Sequence, residues 1–347
     1  MILRIPVLFL FLSLAFSSCR DEAYRVEFNE LDTGTDASIR ALHVVSDDIV
    51  WASGSGGTFL VTDDGGESWT SGTVSGAGSD DFRNIHAWNE KEALLFGISY
   101  PGRAYYTSDA GDTWEMVYEN NTEGIFFNSL NFADDNRGMA LSDPVDSSSF
   151  VIHTEDRGQS WERLEAMPLL AEGEYNFAAS NSCIDYHADG NAWIITGGQA
   201  ARVFISHDHG KSWMARETGL IHGNESSGVF SVSFIDEKEG IVVGGTYDEP
   251  ALNDKVAAWS EDGGYSWQEA KIMPRGFRSC VIWMNRGEKR LAFAIGKTGC
   301  DYSGDGGRTW LAGSDVKDYY TARAVTGTLK GYAAGAGGRI ASFEMVK

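Results

Sequence analysis

The sequence predicts an all-β chain, a single seven-bladed β-propeller whose ring is closed by an N-terminal strand. Three observations carry this prediction. The pattern Ser/Thr-x-Asp-x-Gly-x-Ser/Thr-Trp occurs six times, its aspartates 43 to 54 residues apart. Four short strand-like segments fit between successive copies. Unassigned strand-like segments at the two ends of the chain together make a seventh set. A motif recurring at such a period marks a repeat architecture. No stretch holds a helical period of apolar residues, and 41 glycines with 12% aromatics suit many strands joined by tight turns.

The six copies span residues 62–69, 107–114, 154–161, 206–213, 260–267 and 303–310. They place Asp64, Asp109, Asp156, Asp208, Asp262 and Asp305 five residues before Trp69, Trp114, Trp161, Trp213, Trp267 and Trp310. A short acidic side chain accepts backbone N–H groups inside a tight turn. Glycine supplies positive φ, the hydroxyls close the turn, and tryptophan brings a large apolar face that must be buried. Each copy therefore reads as a hairpin turn that locks one repeat against another. A catalytic device is rarely copied into every repeat, so the aspartates are read as structural rather than as six ligand sites.

These copies resemble the Asp-box (BNR) repeats of sialidases, sortilin-type receptors and photosystem II assembly-factor-like proteins. In those families the boxes are structural and lie away from the binding face, so the resemblance implies a fold and not a chemistry.

Within the second repeat, residues 82–88 read as a strand, 89–92 as a polar turn and 93–98 as a continuously apolar strand. Residues 103–107 make a third strand, the motif turns the chain, and 113–118 make a fourth. Four short strands in about 45 residues is a propeller blade. Six blades begin near Ser38, Arg83, Asn128, Ser182, Phe230 and Arg278. After Trp310 come three more strands, 320–326, 331–336 and 339–343. Residues 23–31 (Ala-Tyr-Arg-Val-Glu-Phe-Asn-Glu-Leu) alternate like a strand and belong to no other blade. They supply the missing fourth strand and remove an open edge. Residues 23–347 are then one domain.

Residues 1–18 read as a secretory signal: Arg4, an apolar run from Ile5 to Phe16, then Ser17 and Ser18. The run is too short to span a bilayer. Cys19 follows directly, which resembles a bacterial lipoprotein with Cys19 acylated, although Phe16 replaces that family's usual leucine. The expected location is the periplasm, the outer membrane or the cell surface. The membrane is then reached only through the lipid anchor. The chain carries a net charge of −22, and nucleic acid is no partner, because phosphate contacts need a basic footprint. Three further cysteines remain. Cys280 and Cys300 fall on the first and third strands of one repeat, beyond disulfide reach, and all three cysteines, Cys183 included, read as small buried residues. There is no CxxC and no His/Cys cluster, so no metal is indicated, and no cofactor motif occurs. Gly54–Gly57 and Gly335–Gly338 sit between strands, not before a helix.

Loop lengths point to a binding face. Connections on one face are short and uniform: residues 46–48, 89–92, 134–137 and the six motif turns. Every long insertion falls on the other: 165–180, 218–228 and 246–255. Insertions confined to one face mark the binding face. Aligned by apolar alternation, the first strands carry Arg40, Arg83, Arg278 and Arg323 at the opening position, with Asn128, Ser182 and Phe230 in blades three to five. Four arginines would then form one arc at the channel mouth. Like charges ~8 Å apart cost about 2 kcal/mol per pair at an effective dielectric of ~20. Either a bound anion offsets this, since guanidinium forks suit carboxylate, sulfate or phosphate, or neighbouring acids form a structural network.

The resemblance implies two functional classes. The photosystem II assembly and stability factor-like family has a single seven-bladed ring and a cluster of arginines on one face, and its members bind partner polypeptides without chemistry of their own. Sialidases hold a carboxylate with arginines but also need a Tyr–Glu nucleophile and an Asp acid. Glu174, Tyr175, Asp248 and Glu249 lie in loops, and the one Arg-Ile-Pro, at residues 4–6, sits in the leader. The expectation is an exported, monomeric binding or assembly module for an anionic ligand or acidic polypeptide, with a glycoside hydrolase as the alternative.

Overall fold

The computed structural model describes residues 23–347. The leader and Cys19 lie outside the described residues. The described chain is all strand and turn, in seven sheets arranged as the blades of a propeller. In blade one the strands are Ile39–Val44, Val50–Gly54, Thr58–Thr62 and Thr70–Thr73, each antiparallel to the one before. The continuously apolar second strands are buried throughout, as Val50–Gly54 and Ala93–Gly97 show. Fourth strands such as Thr70–Thr73 are largely exposed. The polarity gradient within one repeat thus orders its strands from channel to rim.

Blade seven closes as expected. Arg25–Leu31 pairs antiparallel with Ile340–Val346 along its whole length, Phe28 opposite Phe343, and so becomes the outer strand of that sheet. Val26, Phe343 and Met345 are buried, and Phe28 stacks on Phe343 at 5.4 Å. Blade five departs from the four-strand pattern, because Glu174–Tyr175 from the long insertion and Gly197–Gly198 add two short strands to its sheet.

All six motif turns share one hydrogen-bond set. In the first, Thr62 Oγ1 donates to Asp64 Oδ1 (2.7 Å) and accepts from the Gly66 N–H (2.9 Å). The Ser68 N–H and Oγ donate to the two oxygens of Asp64 at 2.9 and 2.6 Å. The Ser68 hydroxyl, then its amide, and Thr62 pull the Asp64 carboxyl down to about 2. The motif glycine is where one blade meets the preceding one. A Cβ on Gly111 would lie 2.3 Å from Phe59, on Gly66 2.6 Å from Leu31 and on Gly158 2.8 Å from Leu94. The tryptophans follow, with Trp114 against Phe59 (5.2 Å) and Trp161 against Phe96 (5.0 Å).

Positive φ occurs at two consecutive positions of each turn, not only at the motif glycine. The residue before it is Gly65, Gly263 or Gly306 in three copies but Ala110, Arg157 or His209 in the others. Cys183, Cys280 and Cys300 are free and buried, and Ile295 separates the last two in the sheet.

The turn geometry makes a paired prediction. Ala110 sits at φ 62°, so Ala110→Gly is expected to stabilise the fold by about 1 kcal/mol. Gly111→Ala is expected to destabilise it by more than that, since both φ and Phe59 oppose a side chain. Urea midpoints of the two variants check this.

Candidate functional site

Strand register decides where the arginines go. In blades one, two, three, five and seven the first strand is interrupted by a β-bulge, between Ile39 and Ala41, Phe82 and Asn84, Phe127 and Ser129, Val229 and Ser231, and Tyr319 and Thr321. The bulged residue stands outside the ladder. These residues are Arg40, Arg83, Asn128, Phe230 and Tyr320. Two of the four aligned arginines therefore do not hold the equivalent position. Arg323 pairs with Tyr332 as His43 pairs with Trp51, three residues further along the strand. In blade six, Phe293 corresponds to Trp51 and pairs with Ile282, so Ser279 takes the position of Arg40 and Arg278 precedes it. Apolar alternation cannot register an extra residue, and the four-arginine arc came from that phase error.

Arg278 is fully buried in an ion pair with Asp301, its Nε 2.7 Å from Oδ2. Arg275 reaches the other oxygen of the same carboxylate at 2.9 Å. Arg323 lies within the channel and donates to the chain's own carbonyls, Asn181 O at 2.6 Å and Ser180 O at 3.2 Å. Beside it, at the same level of the next blade, the His43 ring packs edge-on against His86 at 4.3 Å. Burial, then Arg323, pulls His43 down to about 4, so that ring is neutral at pH 7.

The insertion at 165–180 plugs the channel. Ser180 Oγ donates to Ser279 O (2.6 Å), Thr321 Oγ1 donates to Ser180 O (2.9 Å), and the Leu130 N–H donates to Asn181 Oδ1 (2.6 Å). One segment thus ties blades three, six and seven together across the axis. Glu174 is held at its base by Arg202 Nε (2.8 Å) and Thr196 Oγ1 (2.5 Å), with its side chain fully buried. Tyr175 donates to the Glu225 carbonyl, and burial, then Tyr247 and Glu225, pushes its hydroxyl up to about 12. Neither is poised as a glycosidase nucleophile, and Asp248 and Glu249 are solvent-exposed.

Above the plug lies a pocket of about 530 Å³, on the face carrying the insertions. Arg40, Arg83 and Lys297 supply its positive charge. Arg83 is half committed, with Nε to Asp81 at 2.8 Å and Nη1 to the Ala178 carbonyl at 3.1 Å. Arg40 stacks over the Tyr320 ring at 4.1 Å and has no hydrogen-bond acceptor among the described residues. Burial first, and then Arg83, draws its guanidinium below the ordinary arginine value. Much of the remaining wall is aromatic, including Phe126, Phe177, Phe230, Tyr247 and Phe277, with Glu225, Asn176 and Ser279 among the polar lining. Asp143 lines the same pocket, accepting from the Asn176 N–H (3.2 Å) and Asn128 Nδ2 (3.3 Å). Lys297, Asp143 and Tyr320 escaped the sequence reading. Lys297 lies at a short hairpin bend and Asp143 at a register irregularity near the end of a strand, neither with a motif, and Tyr320 was hidden by the bulge. Among the described residues, no three His, Cys, Asp or Glu side chains come together to hold a metal.

No family model and no curated protein matches this sequence. Solved structures do match the fold. Over 93% of this chain and 97% of the other, it is similar to YCF48 bound to D1 peptide, with a TM-score of 0.65 and 17% identity. YCF48 from Cyanidioschyzon merolae gives 0.64 and 16%, over 91% and 98% of the two chains. The GH74 xyloglucanase of Xanthomonas campestris gives 0.65 and 12%, over 92% of this chain but 53% of that enzyme. At these identities the likeness establishes the propeller and nothing about its ligand.

Two predictions follow from the buried charges. Asp301→Asn leaves Arg278 without its counter-ion and is expected to cost about 3–5 kcal/mol in urea unfolding. Adding Arg278→Met should recover much of that loss. Burial pushes the Asp143 carboxyl up to about 6, against the partial offset of its two hydrogen bonds. The folded protein therefore holds a proton that the unfolded chain releases between about pH 4 and 6, and this group's contribution grows as pH falls through that window. Asp143→Asn keeps an acceptor without the charge. It should stabilise the protein by about 1–2 kcal/mol at pH 7.5, and the gain should vanish near pH 4.

Proposed function

We propose that this chain is an exported, lipid-anchored binding module of the Asp-box propeller kind, similar to the photosystem II assembly factors. Cys19 carries the anchor, and the pocket of the looped face captures an anionic group of a ligand or partner polypeptide. The observation that carries the reading is Arg40: a partly buried guanidinium whose N–H donors meet no acceptor among the described residues, held beside a second arginine. A bound carboxylate, sulfate or phosphate would satisfy those donors and offset the repulsion by Arg83. Of the four arginines aligned from sequence, Arg40 and Arg83 are the contacts in this reading, and Lys297 joins them. Arg278 and Arg323 serve the fold. The likeness to YCF48 bound to D1 peptide supports a polypeptide as one source of the anionic group.

Thermal shift with sodium sulfate and with a hexaglutamate peptide tests this. The wild type is expected to gain stability with either probe, by about 2.7 kcal/mol at one hundred times the dissociation constant. Arg40→Gln should abolish that gain while changing the ligand-free protein by less than about 1 kcal/mol. Equal protection of the variant would sink the assignment.

A further inference from the structure

We infer that the pocket is shaped for a small anion carried on an aromatic or apolar body, an aryl or alkyl carboxylate or sulfonate. The inference rests on the reading of Arg40 and Arg83 as an anion site and adds what the ligand's remainder must be. The two halves of the pocket differ in chemistry. On the side of blades seven, one and two, the bulged residues Tyr320, Arg40 and Arg83 present positive charge and a ring edge. On the side of blades five and six the wall is mainly phenyl, with Lys297 and Glu225 also in its lining. Phe230 stands at the bulge position that holds a polar group or tyrosine in blades one, two, three and seven.

Three separate stretches of chain converge on Phe230. The plug brings Phe177 into face-to-face contact at 3.7 Å, and Phe277 packs edge-on at 4.7 Å. The blade-five insertion sets Tyr247 at 6.3 Å from Phe230 and 6.4 Å from Phe177 while leaving it 51% exposed. These rings belong to the channel mouth and the insertions, not to the turns that lock neighbouring blades. Phe177, Phe230 and Phe277 bury one another, so the aromatic surface left open is that of Tyr247, which is unfavourable unless something apolar covers it. A volume of about 530 Å³ suits one small molecule. A hydrated inorganic anion would satisfy the arginines and leave the Tyr247 ring wet. An apolar body attached to the anion covers both halves at once.

The test uses 8-anilinonaphthalene-1-sulfonate as the probe, titrated by fluorescence into the purified full chain at pH 7.5. One saturable site is expected, displaced by naphthalene-2-carboxylate and by laurate but not by the neutral naphthalene-2-carboxamide. Phe230→Ala and Arg40→Gln should each weaken the probe about tenfold or more. Tyr247→Ser, at an exposed position, gives the same readout if Phe230→Ala fails to fold, and should weaken the probe several-fold. Sulfate protection that depends on Arg40, with aryl anions binding no tighter than sulfate, would overturn this inference and leave the anion site standing. No saturable binding of either kind would overturn both. Probe fluorescence unchanged in all three variants would mean attachment elsewhere and would also overturn it.

Discussion

The fold depends on a contact about one residue wide, the motif glycine of one blade pressed against an apolar side chain of the blade before it. A Cβ at Gly111, Gly66 or Gly158 would fall 2.3 to 2.8 Å from Phe59, Leu31 or Leu94. The backbone can approach that closely only where the turn has no side chain and only if the turn is rigid. Rigidity comes from the aspartate, whose two oxygens each hold the closing Ser or Thr while the opening hydroxyl holds the glycine amide. The tryptophan then covers the seam with area that no smaller residue supplies. Blade seven has no such turn on its outer hairpin, because its outer strand arrives from the other end of the chain. Its seam to blade one is closed by Gly66 against Leu31, the last residue of the N-terminal strand. Ring closure and the repeat contact are the same interaction at that point.

A channel lined by bulged residues creates an electrostatic difficulty that the long insertion partly answers. Arg83 and Arg323 donate to the insertion's own carbonyls, at Ala178, Ser180 and Asn181. Neutral acceptors satisfy those donors without neutralising charge, which in Arg83 falls to its ion pair with Asp81. Arg278 is neutralised outright by Asp301. Arg40 receives the face of Tyr320, which attracts a cation but accepts no hydrogen bond in the guanidinium plane, and the through-space attraction of Asp81. Four arginines close in sequence register therefore have three different fates, and among them Arg40 alone makes no side-chain hydrogen bond to the described residues.

The sequence made the fold legible because each repeat carries its turn in full, so Asp64 and its five counterparts could be aligned without gaps. Ring closure was legible for a related reason. Arg25–Leu31 alternates strongly and had no other place to go. The site was less legible because a β-bulge inserts a residue without a fixed composition. Arg40 and Arg83 were placed correctly, whereas Arg278 slipped by one position and Arg323 by three. Of the phenyl half, Phe230 stood at the aligned opening position, but its neighbours did not show in the sequence, since Phe177 lies in a plug whose path no local pattern predicts. What did signal it was length alone, an insertion on the correct face.

The charge of the whole molecule bears on what can reach Arg40. At a net charge of −22 the exterior repels anions over roughly a Debye length, about 8 Å at physiological salt. A long polyanion pays that repulsion along its length, whereas a single carboxylate on an uncharged body pays it once. Inside the pocket the balance inverts, because low local dielectric strengthens one short charge-assisted contact more than distant surface charges oppose it. Added salt should therefore speed association of a monoanion by screening the exterior, the reverse of what a cationic surface would give. An acidic shell around a small desolvated cationic centre selects for low total charge at the ligand. The aromatic wall then selects for an apolar remainder, so the two halves of the pocket and the outer field discriminate in the same direction.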